Sequence, residues 1–275
     1  MQVVEAKGAR IPIVGFGTWQ LRGPDCARLT QEALRLGCRH LDTAQAYENE
    51  AEVGDGLKAF GIARDEVFVT TKVTPPNFAP ADFERSTKES LQKLKLDHVD
   101  LLLLHWPPPE GHTLAETLGV LSKVKKAGLT RHIGVSNFTI PLMEESVKLS
   151  PEPLACNQIE VHPYLDQDKV IATCNRLGLA VVAHCPIGRG KIFGDPVIEK
   201  IANGHNKTVA QVALRWLIQQ GIVIIPRSSK PERVAENFAI EDFALTPAEM
   251  QEMSRLRRPG SRLVSNPKWA PQWDA

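Results

Sequence analysis

Only two tyrosines occur in this 275-residue chain, and one of them, Tyr47, stands in HLDTAQAYENE (40–50), five residues after Asp42. A free phenol has a pKa near ~10 and is a poor proton donor at neutral pH. A nearby ammonium stabilises the phenolate and lowers that pKa, and a carboxylate keeps the ammonium charged and in place. Lys72 in VFVTTK and His105 in LLLLHW supply a cation and a hydrogen-bonding imidazole. Together these four side chains suit delivery of a proton to an oxygen gaining negative charge, as when hydride adds to a carbonyl carbon. No side chain supplies hydride, so a nicotinamide cofactor is implied. Two other chemistries start from the same residues: a lyase that forms a Schiff base on Lys72, and a nucleotide-binding protein without turnover.

Such residues need a scaffold that brings them together. After a hairpin turning at Lys7–Gly8, short apolar runs alternate with helical segments. The runs are IVGF (13–16), CRHLD (38–42), VFVTTK (67–72), VDLLLLHW (99–106), HIGVS (132–136), ACNQIE (155–160), AVVAH (180–184) and IVIIP (222–226). Between them, Cys26, Leu29, Ala33 and Leu36 share one helical face, as do Leu114, Leu118, Leu121 and Val124. Capping boxes are expected at Thr113–Glu116, Thr208–Gln211, Ser229–Glu232 and Thr246–Glu249, and the stretch 185–221 has room for two helices. Near-continuous apolar strands between helices imply a parallel sheet covered on both faces. Eight βα units close into a (β/α)8 TIM barrel, with a doubly wound sheet as the alternative. No compositional break divides the chain, so 1–275 reads as one domain, and the proline- and tryptophan-containing tail RLVSNPKWAPQWDA (262–275) is expected near the active-site rim.

In a parallel barrel the strand C-termini share one rim, where active sites are built. Asp42, Lys72, His105, Ser136, Asn137, Gln158, Glu160 and His184 fall at or just past those ends. Ser136, Asn137 and Gln158 offer hydroxyl and amide groups suited to a carboxamide. GFGTWQ (15–20) lacks the third glycine of a dinucleotide fingerprint, whereas IPRSSKPERVAENF (225–238) places Arg227, Ser228, Lys230 and Arg233 around a helix start. Cations there suit a phosphate, and three favour NADPH over NADH. Trp19, Trp106, the loop TPPNF (74–78) and Trp269 are candidate pocket walls. The brief loop WPPPEGHT (106–113) suggests an open pocket for small polar carbonyls. His162 before Pro163 reads as a packing residue, Tyr164 has no lysine at matching spacing, and no cluster resembles a metal site.

Lys+Arg (33) balance Asp+Glu (32), which gives no general basic field for nucleic acid or an anionic membrane. Five cysteines without C-x-x-C spacing read as reduced, mostly buried thiols. The first residues lack the pattern of a signal peptide, so a cytoplasmic location is expected.

DTAQAY (42–47), TTK (70–72), LLLLHWP (101–107), GVSNF (134–138), NQIEVHPY (157–164) and IPRSSKPERVAENF resemble the aldo-keto reductase family, in order and across essentially the whole chain. SNFTIPLMEESV (136–147) and the terminal RLVS…AP.WD resemble bacterial members that reduce 2,5-diketo-D-gluconate and methylglyoxal. The resemblance implies a (β/α)8 barrel, NADPH as hydride donor, a carbonyl substrate and a monomer. It implies Tyr47 as general acid, tuned by Lys72 and Asp42, with His105 orienting the carbonyl beside Trp19 and Trp106. Its cofactor contacts fall on Gly17, Thr18, Asp42, Ser136, Asn137 and Gln158, then His184, Pro186 and Gly188. Around the adenosine phosphate they fall on Arg227, Ser228, Ser229, Arg233, Glu236 and Asn237. Arg227 replaces a usual lysine, and His184 replaces the usual tyrosine or phenylalanine that stacks on the nicotinamide.

Overall fold

The computed structural model describes residues 2–274. The chain opens with β1 (Val3–Ala6) and β2 (Ala9–Pro12), an antiparallel hairpin with Ala6 opposite Ala9. Lys7 and Gly8 both take positive φ (49° and 85°). Two such residues match the twist of the flanking strands.

Eight parallel strands follow: β3 (Phe16–Gly17), β4 (His40–Asp42), β5 (Phe68–Val73), β6 (Val99–Leu104), β7 (Thr130–Ser136), β8 (Leu154–Glu160), β9 (Ala180–His184) and β10 (Val223–Ile224). Each pairs with its successor. The ends meet: Val14 bridges Ile224 in parallel, the Gly15 amide donates to Ile224 O at 2.8 Å, and Ile224 N donates to Ile13 O at 2.8 Å. This closure selects the barrel over the doubly wound sheet. Close approach at the seam requires glycine, since a Cβ on Gly17 would stand 2.7 Å from Ile225 O. The expected first and last strands, 13–16 and 222–226, are shorter than their apolar runs because both lie at this seam.

Alternation separates two cores. Leu101 and Leu103 point into the barrel with Phe68, Cys156, Val182 and Val223, and Ile11 of β2 plugs the bottom. Leu102 and Leu104 point outward against the helices. The helices are α1 (Gly23–Arg35), α2 (Glu50–Phe60), α3 (Pro80–Leu94), α4 (Leu114–Lys126), α5 (Ile140–Leu149), α6 (Asp168–Leu177), α7 (Pro196–His205), α8 (Val209–Ile218), α9 (Pro231–Phe238) and α10 (Pro247–Ser254). Thus 185–221 does hold two helices. None of the described helices is long and apolar enough to cross a membrane.

Capping boxes form at Thr208–Gln211 and Thr246–Glu249. At Thr113 only half forms: Thr113 Oγ1 accepts from Glu116 N, but its hydroxyl donates to the Glu116 carboxylate, which is thereby kept from the backbone. The box expected at Ser229–Glu232 is absent. The N-cap of α9 is Lys230, one residue later, because Ser228 Oγ accepts from Lys230 N at 3.0 Å and shapes the turn itself.

Candidate active site

Asp42 ends β4 and Lys72 lies near the end of the adjacent β5, both facing the barrel axis. Lys72 Nζ donates to Asp42 Oδ1 at 2.5 Å and to Thr43 O at 2.8 Å, and it reaches Tyr47 Oη at 3.3 Å. The side chains of Lys72 and Asp42 are 0% and 2% exposed. Gln158 Nε2 donates to the second Asp42 oxygen at 2.8 Å. Tyr47 sits in a 3₁₀ turn (Gln45–Tyr47) between β4 and α2. His105 follows β6 and meets the Tyr47 ring edge-on, centroids 5.6 Å apart. Separate strand ends therefore converge on one phenol.

Burial opposes charge on Lys72, yet Asp42 and Tyr47 together raise its pKa above the ordinary lysine value. The ammonium is therefore fixed. The tyrosine behaves otherwise than the sequence suggests: burial pushes its pKa above 10, and Lys72 pulls against that shift without reversing it. The phenol keeps its proton at neutral pH. Burial and the neighbouring Lys72 hold His105 well below 6.5, so the imidazole is neutral. Its Nδ1 is buried and has no hydrogen-bond partner among the described residues.

Tyr47, Asp42 and His105 line a cavity of about 1040 Å³. Most of the expected contacts line it too. Gly17, Thr18, Trp19, Trp106, Ser136, Asn137, Gln158, His184 and Pro186 surround one part. Arg227, Ser228, Ser229, Lys230, Arg233, Glu236 and Asn237 surround another. No side chain caps the start of α9 in that second part. Lys72 lies beneath Tyr47 and does not line the cavity.

The amide group is more occupied than expected. Asn137 Nδ2 donates to His105 O at 3.0 Å and Ser136 Oγ at 3.1 Å, while Asn137 Oδ1 lies 3.0 Å from His184 Nε2. Asn137 itself takes a left-handed φ of 63°. His184 is held neutral, its pKa lowered to about 3 chiefly by burial. It therefore braces Asn137 as an Nε2–H donor.

Other expectations are corrected. Gly188 does not line the cavity; it takes φ 55° in the loop after β9 and packs near His162. Phe78 is buried against Phe83 and His112, not in the pocket wall. Glu160, at the end of β8, also stays out of the cavity. Its carboxylate accepts from His162 Nε2 at 2.9 Å and from the Leu263 and Val264 amides at 2.7 and 2.9 Å. Against the cost of burial, these donors hold its pKa below the ordinary value. His162 packs as expected and also aims a donor. Tyr164 N donates to its Nδ1 at 3.3 Å, which leaves Nε2–H for Glu160.

Sequence reasoning missed Arg189 and Phe193, which line the cavity, but placed the C-terminal tail at the active-site rim, where Leu263–Asn266 and Trp269 do line it. Arg189 stands over the Trp19 ring at 4.7 Å. How the tail is fastened was not read, and its available signal was Glu160, a carboxylate at a strand end with no cation nearby in sequence. It pointed to backbone donors from afar.

The aldo/keto reductase family model matches residues 13–258. The methylglyoxal reductase DkgB of Yersinia pestis is 42% identical over 266 residues, 96% of this chain and 99% of that protein. A crystal structure of a protein assigned as 2,5-diketo-D-gluconic acid reductase B superposes with a TM-score of 0.98 at 48% identity, covering 100% of this chain and 98% of the other. A Bombyx mori aldo-keto reductase in complex with NADP gives a TM-score of 0.88 at 34% identity, covering 97% and 94%. On the closed barrel, the convergent strand ends and these likenesses, the chain belongs to the aldo/keto reductase family of NADP-dependent oxidoreductases.

Proposed function

We propose that this enzyme reduces small polar aldehydes and ketones with NADPH, Tyr47 acting as the general acid, and that one domain spanning 1–275 carries the activity. The supporting observation is the Lys72 ammonium, locked by Asp42 and 3.3 Å from the Tyr47 hydroxyl at the edge of the cavity.

The residues fit NADPH. Ser228, Ser229, Arg227 and Arg233 gather at an uncapped helix start, which suits a phosphate. Ser136, Asn137, Gln158 and His184 would hold the nicotinamide end. When bound, NADPH supplies a hydride to the carbonyl carbon. Neutral His105 donates a hydrogen bond to the carbonyl oxygen and orients it. Tyr47 transfers its proton to that oxygen as negative charge develops there, and Lys72 stabilises the phenolate left behind. Trp19 and Trp106 provide apolar walls. The names of the relatives point to 2,5-diketo-D-gluconate and methylglyoxal as substrates.

A Schiff-base lyase is disfavoured because attack on a carbonyl needs a neutral amine, and Lys72 is held charged by a buried carboxylate. The test is NADPH consumption with methylglyoxal, compared with NADH and followed by borohydride trapping. Turnover without a trapped adduct supports the reductase; a trapped Lys72 adduct would replace it with the lyase.

A further inference from the structure

The loop TPPNF (74–78), expected in the pocket wall, does not line the cavity. Its polar groups turn instead to Gln45, the first residue of the 3₁₀ turn that ends at Tyr47. Gln45 Oε1 accepts from Thr74 N at 3.1 Å and from Asn77 Nδ2 at 3.0 Å. Gln45 Nε2 donates to Ser90 Oγ of α3 at 3.2 Å. Three of the four hydrogen bonds open to a glutamine amide thus go to one βα unit. Gln45 itself does not line the cavity, whereas Ala46 and Tyr47 do.

The far end of the same stretch is fastened to the same unit. Glu50, which opens α2 and is 2% exposed, accepts from Thr71 Oγ1 at 2.6 Å. The Ser90 hydroxyl bonds to its carboxylate as well. On the opposite side, Asn49 Nδ2 donates to Thr18 O at 2.7 Å and Leu21 O at 3.0 Å. That second loop carries none of Asp42, Lys72 and His105, so the bond that bears on them is the one at Gln45.

Spacing gives it a purpose. Gln45 stands two residues before Tyr47, and Thr74 stands two residues after Lys72. The Gln45–Thr74 bond therefore closes a short ring, whose opposite side is the 3.3 Å contact between Lys72 Nζ and Tyr47 Oη. Val73, inside that ring, accepts from His105 N at 3.0 Å, which ties the imidazole to the same frame. A single 3₁₀ turn has little hydrogen bonding of its own, and Glu48 leaves it with a left-handed φ of 55°. The place of the phenol is thus set from outside the turn.

We infer that Gln45 is a positioning residue for proton transfer: by fastening the Tyr47 turn to the loop after Lys72, it sets the distance of the phenol from the ammonium and its aim at the carbonyl oxygen. This rests on the carbonyl-reductase reading with Tyr47 as the acid. Gln45 acts only through Tyr47, and the loop TPPNF is its anchor.

The experiment is a double-mutant cycle with the intact enzyme, NADPH and methylglyoxal, run at raised enzyme concentration for the slow variants. Gln45→Met keeps the length of the side chain and removes its bonds. Since misplacing a reacting group by about 1 Å can cost about 10²-fold, kcat should fall about tenfold or more. KM for methylglyoxal, and NADPH affinity read from quenching of tryptophan fluorescence, should stay within about twofold. In a Tyr47→Phe background the same substitution should change kcat by less than about twofold, because the group it positions is gone. Gln45→Glu keeps an acceptor for Thr74 and Asn77 and should recover part of the rate. Equal losses in both backgrounds would make Gln45 a general packing residue and overturn the inference, as would an unchanged kcat in Gln45→Met. If Gln45→Met fails to bind NADPH, the cycle is run with Gln45→Glu, where a loss confined to the background that retains Tyr47 supports the inference and its absence overturns it. A wild type without turnover, or Tyr47→Phe at the full rate, would instead remove the reading beneath it.

Discussion

The two tyrosines of this chain are built from the same parts and put to opposite uses. Each has a cation near its ring and an aspartate near the cation. At Tyr47 the aspartate grips the cation, Lys72, at 2.5 Å, and the phenol oxygen faces the cavity. At Tyr164 the aspartate grips the phenol: the Tyr164 hydroxyl donates to Asp195 at 2.8 Å, and Arg258 covers the ring at 4.0 Å while pairing with the same carboxylate. Both pKa values are raised by burial, that of Tyr164 to about 12 with Asp195 adding to it. What differs is the proton's destination. Tyr164 has already given its hydrogen bond to a protein carboxylate; Tyr47 receives from a lysine and keeps its own hydrogen available. On the proposed reading, the order of three groups, more than their identity, separates a reactive phenol from a structural one.

This contrast can be broken most sharply with Tyr47→Phe. Loss of a positioned acid should lower kcat by about 10²–10⁴ with little change in melting temperature, whereas Tyr164→Phe should leave kcat within about twofold. A mutant Tyr47→Phe enzyme turning over at the wild-type rate in the NADPH assay would sink the acid assignment. Lys72→Met is expected to damage both properties. It strands Asp42 as an unpaired buried charge, and breaking such a pair costs about 3–5 kcal/mol; urea unfolding should register this beside the rate loss. Tyr164→Phe should cost about 1–3 kcal/mol, because Asp195 Oδ2 loses one of its two donors and keeps only Arg258; an unchanged unfolding midpoint would show that Arg258 alone satisfies Asp195.

Titration sharpens the comparison further. Because the folded pKa of Tyr164 is about 12 and the unfolded value near ~10, its contribution is complete below pH ~10 and disappears as pH rises towards 12. Stability should therefore fall over that range, and less steeply in Tyr164→Phe. On the acid side, His184 has a folded pKa of about 3 against 6.5 unfolded. The unfolded chain takes up the proton first, so stability should decline as pH falls from about 6.5 towards 3. His184→Phe should flatten that limb; an unaltered slope would place the acid sensitivity at His40 or His105, whose pKa values are also lowered by burial.

The barrel was legible because its information is local. Apolar runs at regular intervals gave the strands, and Cys26, Leu29 and Ala33 are buried along α1 as their spacing suggests. Positions of Asp42, Lys72 and His105 followed from the one rule that parallel strand ends share a rim. What escaped is non-local. The Phe78 side chain turns to the core because Phe83 and His112 wait there, and nothing near TPPNF states that. Ser229 loses its expected cap because Ser228 turns the chain one residue earlier. Burial reversed the shift expected for Tyr47, since the strength of desolvation depends on the walls and not on the partners a sequence reveals.

The grip of Glu160 on the tail is sequence-blind. It holds peptide amides at 263 and 264, which every residue but proline possesses, so the side chains there can be rewritten without loosening the strap that carries them. One acidic residue thus turns the pocket's outer wall into an interchangeable panel on an unchanged chassis, and an engineer could retune selectivity at Leu263 and Val264 while leaving Tyr47, Lys72 and Asp42 alone.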